Sequence, residues 1–194
     1  MMHLGEGAEA RISVAKVAGS ELLVKTRYPK AYRLKELDTR IRRSRTRKEA
    51  KIMERAAKAG VSVPGLVAVS EFSIVMERVT GAMLMDTGMG METARRIGVQ
   101  LAMMHDAGIT HGDFTPANIM ISNGTPVIID FGLGEMTKNS EERALDLLLM
   151  KRSIPSAAYR SLCKGYAMSK SSGDTIRRLA EIELRGRYQQ RTIA

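Results

Sequence analysis

Four short runs of β-favouring residues lie in the first half of the chain, residues 9–17, 21–26, 65–69 and 72–77, separated by Gly, Ser or Pro. Short runs of this kind bounded by turn residues are the mark of strands, so they predict a small antiparallel sheet. Between the second and third runs the pattern becomes helical. Over residues 33–59, Leu34, Leu37, Ile41, Ile52, Met53 and Ala56 can share one face of a long helix, and Gly60 follows as a stop signal. Residues 91–107 predict another helix, with Ala94, Ile97, Leu101 and Met104 on one face and Gly108 at its end. Two apolar runs, 119–121 and 127–129, are joined by SNGTP, a hairpin signal built on the Asn-Gly pair. Residues 140–150 and 175–184 again read as helical, and the Gly- and Met-rich stretch 80–90 reads as a linker. The pattern predicts one α+β domain over 1–194, with a sheet-plus-helix lobe over about 1–79 and a mostly helical lobe over about 80–194.

Charge sharpens that picture through its location. The chain of 194 residues has a net charge of +10, and residues 25–58 hold fourteen Lys and Arg against only Glu36, Asp38, Glu49 and Glu54. The whole excess therefore sits on and just before the long predicted helix. A concentrated excess of this kind reads as an electrostatic footprint for a polyanion. The start, MMHLGEGAEA, has no basic segment leading into an apolar one, and no apolar run approaches the roughly 20 residues of a membrane helix, so a cytoplasmic protein is expected. Cys163 is the only cysteine, which excludes an intrachain disulfide and the usual four-ligand zinc pattern.

Candidate chemistry begins with GEGAEA, where Gly5, Glu6, Gly7 and Ala8 precede Ile12. Glycines at this spacing let backbone N–H groups approach phosphates, although Ala10 replaces the third glycine of GxGxxG and most such matches are simply turns. Lys25 ends the run LLVK, where a lysine either snorkels into solvent or holds an anion. If it holds phosphate oxygens, a helix carboxylate is needed to direct it. Glu49 fits best, since RTRKEAKIM sets it just before Ile52 and Met53.

HGDFTPANIMISNGTPVIIDFG gathers Asp113, Asn118 and Asp130. A carboxylate set among apolar residues, as Asp130 is between VII and FGLG, is disfavoured unless something positive compensates. A magnesium ion would do so, with Asn118 as a second hard oxygen ligand, and Asp113 would be free to accept a hydroxyl proton or orient a nucleophile. Either Asp alone reads better as a turn or bridge residue. Glycine loop, strand lysine, helix glutamate, HGDxxxxN and DFG in this order make a common site the better reading.

These residues resemble the protein-kinase fold, from about residue 5 to about 146. The resemblance implies a hinge at Met76, Glu77, Arg78 and Val79, with the backbone of Glu77 and Val79 meeting adenine. It also makes His105 and His111 structural hydrogen-bonding residues. Three departures narrow it. Gly112 stands where the usual Arg precedes the catalytic Asp, Thr115 where Ser/Thr kinases carry a second Lys, and LGEMTKNSEE leads from DFG straight into a helix without an APE triplet.

With VKTRYPKAYR, LDTRIRRSRTRKEAKIM and EIELRGR, the chain closely resembles the small atypical kinase/ATPase subunit of the KEOPS complex, related to the RIO kinases. That resemblance implies ATP and Mg2+ as cofactors and a role in threonylcarbamoyl modification of tRNA adenosine. It also implies Ser/Thr phosphorylation in vitro. A threonylcarbamoyltransferase subunit and small accessory subunits are the implied partners. The basic helix, through Arg40, Arg43 and Arg47, would meet tRNA, unless it is simply a solvated face. The tail RGRYQQR is less basic than the family's usual end, which leaves Arg185, Arg187 and Arg191 as weaker candidates. Two other functions share part of the pattern: a small-molecule kinase of the aminoglycoside or choline type, for which this chain is short, and a non-catalytic tRNA-binding scaffold, which has no need of Lys25, Asp113 and Asp130 together.

Overall fold

A computed structural model describes residues 2–6, 10–17 and 19–191, with side chains over 10–17 and 19–185. The first half forms a five-stranded antiparallel sheet in the order β1-β2-β3-β5-β4, from β1 (Met2–Glu6), β2 (Arg11–Val17), β3 (Ser20–Thr26), β4 (Leu66–Val69) and β5 (Ser73–Glu77). The four predicted strands are present. β1 was not expected, because MHLGE contains no β-branched residue, and its place follows from pairing with β2.

Helix α1 (Lys35–Lys58) leaves the sheet after β3 and returns to β4. Glu36 and Asp38 in its first turn and Arg55 and Lys58 in its last complement the helix dipole. At its end the amides of Gly60 and Val61 bond the carbonyls of Ala57 and Ala56, a Schellman closure of the orphan groups. Its core face differs from the expected one. Ile52, Met53 and Ala56 are buried, whereas Leu34 is 80% and Leu37 40% exposed. The sheet covers only the C-terminal part of α1, and its first turns are anchored instead by charge: buried Asp38 accepts from Arg42 Nε at 2.6 Å and from the Lys30 amide at 3.3 Å.

The expected linker is partly built into the fold. β6 (Ala82–Met83) pairs with β8 (Ile119–Ser122), and α2 (Leu84–Thr87) buries Leu84, an apolar anchor that a free linker would not carry. Helix α3 (Met91–Asp106) buries Ala94, Ile97, Leu101 and Met104 completely, as its spacing predicted. β7 (Ile109–Thr110) follows, then a single 3-10 turn (Pro116–Asn118) and the hairpin of β8 with β9 (Thr125–Ile128). Ser122 opposes Thr125, so Asn123 (φ 48°) and Gly124 (φ 73°) form the two-residue primed turn that the Asn-Gly pair favours.

β10 (Glu135–Met136) pairs with β7, and α4 (Ser140–Ser153) starts at once, so only a short connection separates DFG from the next helix. α5 (Ser156–Tyr166) was not predicted, and α6 (Ser172–Arg191) extends beyond its expected bounds at both ends. α5 lies tightly on α3, where a Cβ on Gly98 would run into the Leu162 carbonyl and one on Gly165 into that of Arg95. One buried cluster runs through the molecule, joining Ile52 and Ile74 to Leu101, Phe114, Ile128, Phe131, Leu147 and Tyr166. No helix among the described residues is long and apolar enough to cross a membrane.

Candidate active site

Successive side chains of a strand alternate between faces, so Leu23 and Lys25 of β3 look the same way, toward α1, as does Arg27 directly after the strand. On α1, Thr46, Glu49, Ala50 and Met53 form the facing buried stripe at helical spacing. Glu49 and Lys25 meet there, Nζ lying 2.7 Å from Oε1, with Lys25 7% and Glu49 2% exposed. The solvent-snorkelling alternative for Lys25 is thereby removed. The other two glutamates of the helix, Glu36 and Glu54, are exposed.

Lys25 has a second partner 105 residues away, Asp130 Oδ1 at 2.7 Å. Asp130 takes a left-handed backbone (φ 59°), and its Oδ1 also accepts the Gly132 amide at 3.0 Å. Its side chain is half exposed, more open than the apolar flanks suggested. Burial opposes ionisation of Asp130, but the Lys25 charge and hydrogen bond, the Gly132 amide and nearby His111 outweigh it and hold the carboxyl below its usual range. The positive compensation that the sequence demanded for this carboxylate is, in this structure, the Lys25 ammonium.

The remaining members come from the turn after β7. Asn118 Nδ2 donates to both the backbone oxygen and Oδ2 of Asp113, each at 2.8 Å, and the Asn118 carbonyl accepts the amide of Ile129 beside Asp130. The two ends of HGDFTPAN and the DFG turn are thus tied together. Asp146 holds this turn from beneath. Its carboxylate, fully buried in α4, accepts the amides of His111 at 2.7 Å and Gly112 at 2.9 Å, and lies 3.1 Å from His105 Nε2. Tyr166 lies 2.8 Å from His105 Nδ1, and His111 Nε2 lies 3.0 Å from the Ile129 carbonyl. Both histidines are hydrogen-bonding fixtures, as expected. Gly112 stands at φ 78°, and a Cβ there would come 2.5 Å from the Leu133 carbonyl oxygen, so no other side chain fits this backbone without a shift.

Asn118 Oδ1 and Asp130 Oδ2 accept no hydrogen bond among the described residues, and a group of three or more His, Cys, Asp or Glu able to hold a metal is absent among them. One carboxylate and one amide oxygen suit Mg2+, which takes few protein ligands and completes its shell with phosphates and water. The donor set therefore fits a magnesium-bound nucleotide.

Around this centre, Ile12 lies opposite Lys25 on β2, and Gly5 and Glu6 lie in β1 opposite Ile12 and Arg11, within a strand rather than a loop; the pull of the β1 to β2 pairing accounts for that correction. Gly7 and Ala8 lie outside the described residues. The amide of Glu77 donates to the Gly65 carbonyl at 2.8 Å, and the Val79 amide makes no such bond among the described residues. On the outer face of α1, Arg40, Arg43 and Arg47 are all exposed. Arg43 is paired with Glu71 and, with Arg47, Val69 and Ser70, lines a concavity of about 410 Å3; Arg40 lines a separate one of about 280 Å3 with Leu34, Glu36 and Leu37. Arg185 pairs with Glu141 at 3.1 Å, and the side chains of Arg187 and Arg191 lie outside the described ones. Sequence reasoning missed Arg27 and Asp146. The first had a signal in its spacing of two from Lys25, and the second in its place as a lone acid within ALDLLLM.

A model of the RIO domain matches residues 22–154. The chain is 39% identical over 196 residues to the probable bifunctional tRNA threonylcarbamoyladenosine biosynthesis protein of Methanobrevibacter smithii, covering 95% of this chain and 36% of that one. It thus spans about a third of the length of that relative. It is 36% identical to the KEOPS complex subunit Bud32 of Pyrococcus abyssi, covering 99% of this chain and 98% of that one. In structure it resembles the Rio2 kinase of Chaetomium thermophilum, crystallised as an ADP/Mg2+-phosphoaspartate complex, with a TM-score of 0.65 at 20% identity over 99% of this chain and 72% of that one. That likeness carries the fold, a kinase-like sheet lobe with a helical C-terminal part. With a family model over most of its length and a Bud32 subunit alike from end to end, the chain belongs to the RIO-domain kinases, in the group of the Bud32 proteins.

Proposed function

We propose that this protein is a magnesium- and ATP-dependent atypical Ser/Thr kinase or ATPase that serves threonylcarbamoyl modification of tRNA as a KEOPS subunit. The observation that carries the reading is the convergence of Lys25, Glu49 and Asp130, from a strand, a helix and a loop, with Nζ at 2.7 Å from both carboxylates. Separations of 24 and 105 residues make that convergence a product of the fold and not of local sequence.

In this reading, Lys25 holds phosphate oxygens and Glu49 fixes its direction. Asn118 and Asp130 hold Mg2+, which supplies charge neutralisation across the phosphates. Asp113 accepts the proton of the attacking hydroxyl at its carboxylate, with Asn118 Nδ2 keeping that carboxylate turned toward the cleft. Glu77 offers its carbonyl and Val79 its amide to adenine, and Gly5, Glu6 and Ile12 are assigned the phosphate side of the nucleotide pocket. The sheet lobe over about 1–79 and the helical lobe over about 80–194 act as the two walls of one domain. Arg40, Arg43 and Arg47 offer charge to the tRNA backbone, Arg43 only after release from Glu71. A threonylcarbamoyltransferase subunit and small accessory subunits are the partners, and the cytoplasm is the setting. The name of the Pyrococcus abyssi relative and the biosynthetic role in the name of the Methanobrevibacter smithii one support this reading.

The test is turnover of radiolabelled ATP by the purified protein, alone and with tRNA and the transferase subunit. Wild type should hydrolyse or transfer phosphate, and Asp130→Ala should lose all of it while remaining folded. Equal turnover in the variant removes Asp130 from its role, and no turnover in wild type under any of these conditions sinks the reading.

A further inference from the structure

Arg27 has no part in the reading above, yet its side chain bonds α1 and approaches the DFG turn. It lies two residues beyond Lys25, directly after the end of β3, turns toward α1 as Lys25 does, and is 3% exposed. Its Nη2 donates to Glu49 Oε2 at 2.6 Å, the oxygen that Lys25 leaves unused. The same Nη2 lies 3.8 Å from where a side chain on Gly132 would begin, beside Asp130 Oδ1 and Lys25 Nζ, so the guanidinium reaches the DFG turn as well as α1. Its Nη1 lies 3.5 Å from Thr46 Oγ1, and its Nε has no hydrogen-bond partner. Burying a guanidinium with one N–H unpaired opposes folding, and a residue that merely clamped α1 to the sheet could do so without charge.

Lys25 and Arg27 face Glu49 and Asp130, two cations against two carboxylates. Without Arg27, Lys25 would be drawn between both carboxylates with nothing to balance the second. Its ammonium would then be least available where the phosphates are to be met, and Asp130 would keep its Oδ1 occupied. We propose that Arg27 is a positioning residue that frees Lys25. Held permanently on Oε2, it keeps Glu49 neutralised and in place, so that Lys25 can release Asp130 to the metal and turn its donors to the nucleotide. The inference rests on the nucleotide-binding reading of this site.

The test measures ATP binding by calorimetry across a magnesium titration, with thermal unfolding in parallel, for wild type, Arg27→Met, Arg27→Gln and Arg27→Lys. Arg27→Met should bind about tenfold more weakly, the scale of one charge-assisted contact, with the magnesium half-saturation moved upward. Arg27→Gln keeps a donor for Glu49 without the charge and should show the same magnesium shift, which carries the test if the Met variant does not fold. Arg27→Lys should recover most of it. Wild-type affinity and magnesium dependence in Arg27→Gln would overturn the proposal whatever its melting temperature, because a clamp keeps its bond there. Absence of magnesium-dependent ATP binding in wild type would instead overturn the nucleotide reading itself.

Discussion

Two buried carboxylates anchor opposite sides of the site, and they are satisfied by different kinds of partner. Glu49 is held by two side-chain cations, Lys25 and Arg27, each on its own oxygen. Asp146 is held by two backbone amides and an imidazole. Side-chain cations sit on flexible stems and can exchange partners, whereas backbone amides are fixed by the chain. The first arrangement suits a group that must rearrange when a ligand arrives. The second suits a group that must hold the HGD turn in one shape throughout.

That contrast can be broken at three points. The largest effect is expected for Asp146→Ala, which strands the His111 and Gly112 amides beside a cavity. It should cost on the order of 3–5 kcal/mol by urea denaturation, and a loss under 1 kcal/mol would end the fixture reading. Glu49→Gln comes next. It keeps one acceptor oxygen, sets its amide nitrogen against the other cation, and leaves two buried cations against one half-exposed carboxylate, so stability should fall by about 1–3 kcal/mol while ATP turnover falls about a hundredfold. A stability loss equal to that of Asp146→Ala would erase the distinction between the two anchors.

The smallest effect concerns acid. Asp130 has its folded-state carboxyl held below the usual range, chiefly by Lys25 working against burial, so its contribution to stability is present above the ordinary carboxylate pKa of about 3.9. It is lost as pH falls through the lower folded-state value. Asp130→Asn should therefore lose stability less steeply than wild type on acidification below about pH 4, as melting temperature against pH would show. Parallel curves would mean that the Lys25 to Asp130 contact is absent in solution.

Most of this architecture could be read from local pattern, and the lapses have a physical order. β5, α3 and the Asn-Gly hairpin carry their own periodicity or turn chemistry, so they were legible. β1 and α5 take their shape from neighbours, one by pairing with β2 and the other by glycine-mediated contact with α3, and short-range pattern is silent on both. Leu34 and Leu37 misled because spacing reports which residues share a face, and cannot report where the covering sheet stops. In the site, Lys25, Glu49, Asp113, Asn118 and Asp130 stood out through residue type and order. Arg27 did not, because an arginine within a strongly basic segment looks like one more surface charge until its burial is known.

Gly112 bears on the lineage as well as the fold. With its backbone at φ 78° and the Leu133 carbonyl 2.5 Å from any added Cβ, the position closes the one-step mutational route to the arginine that lets ordinary protein kinases answer to a phosphorylated loop. A basic side chain that reads a phosphorylated loop cannot be regained here without reshaping the turn that the Asp146 carboxylate holds.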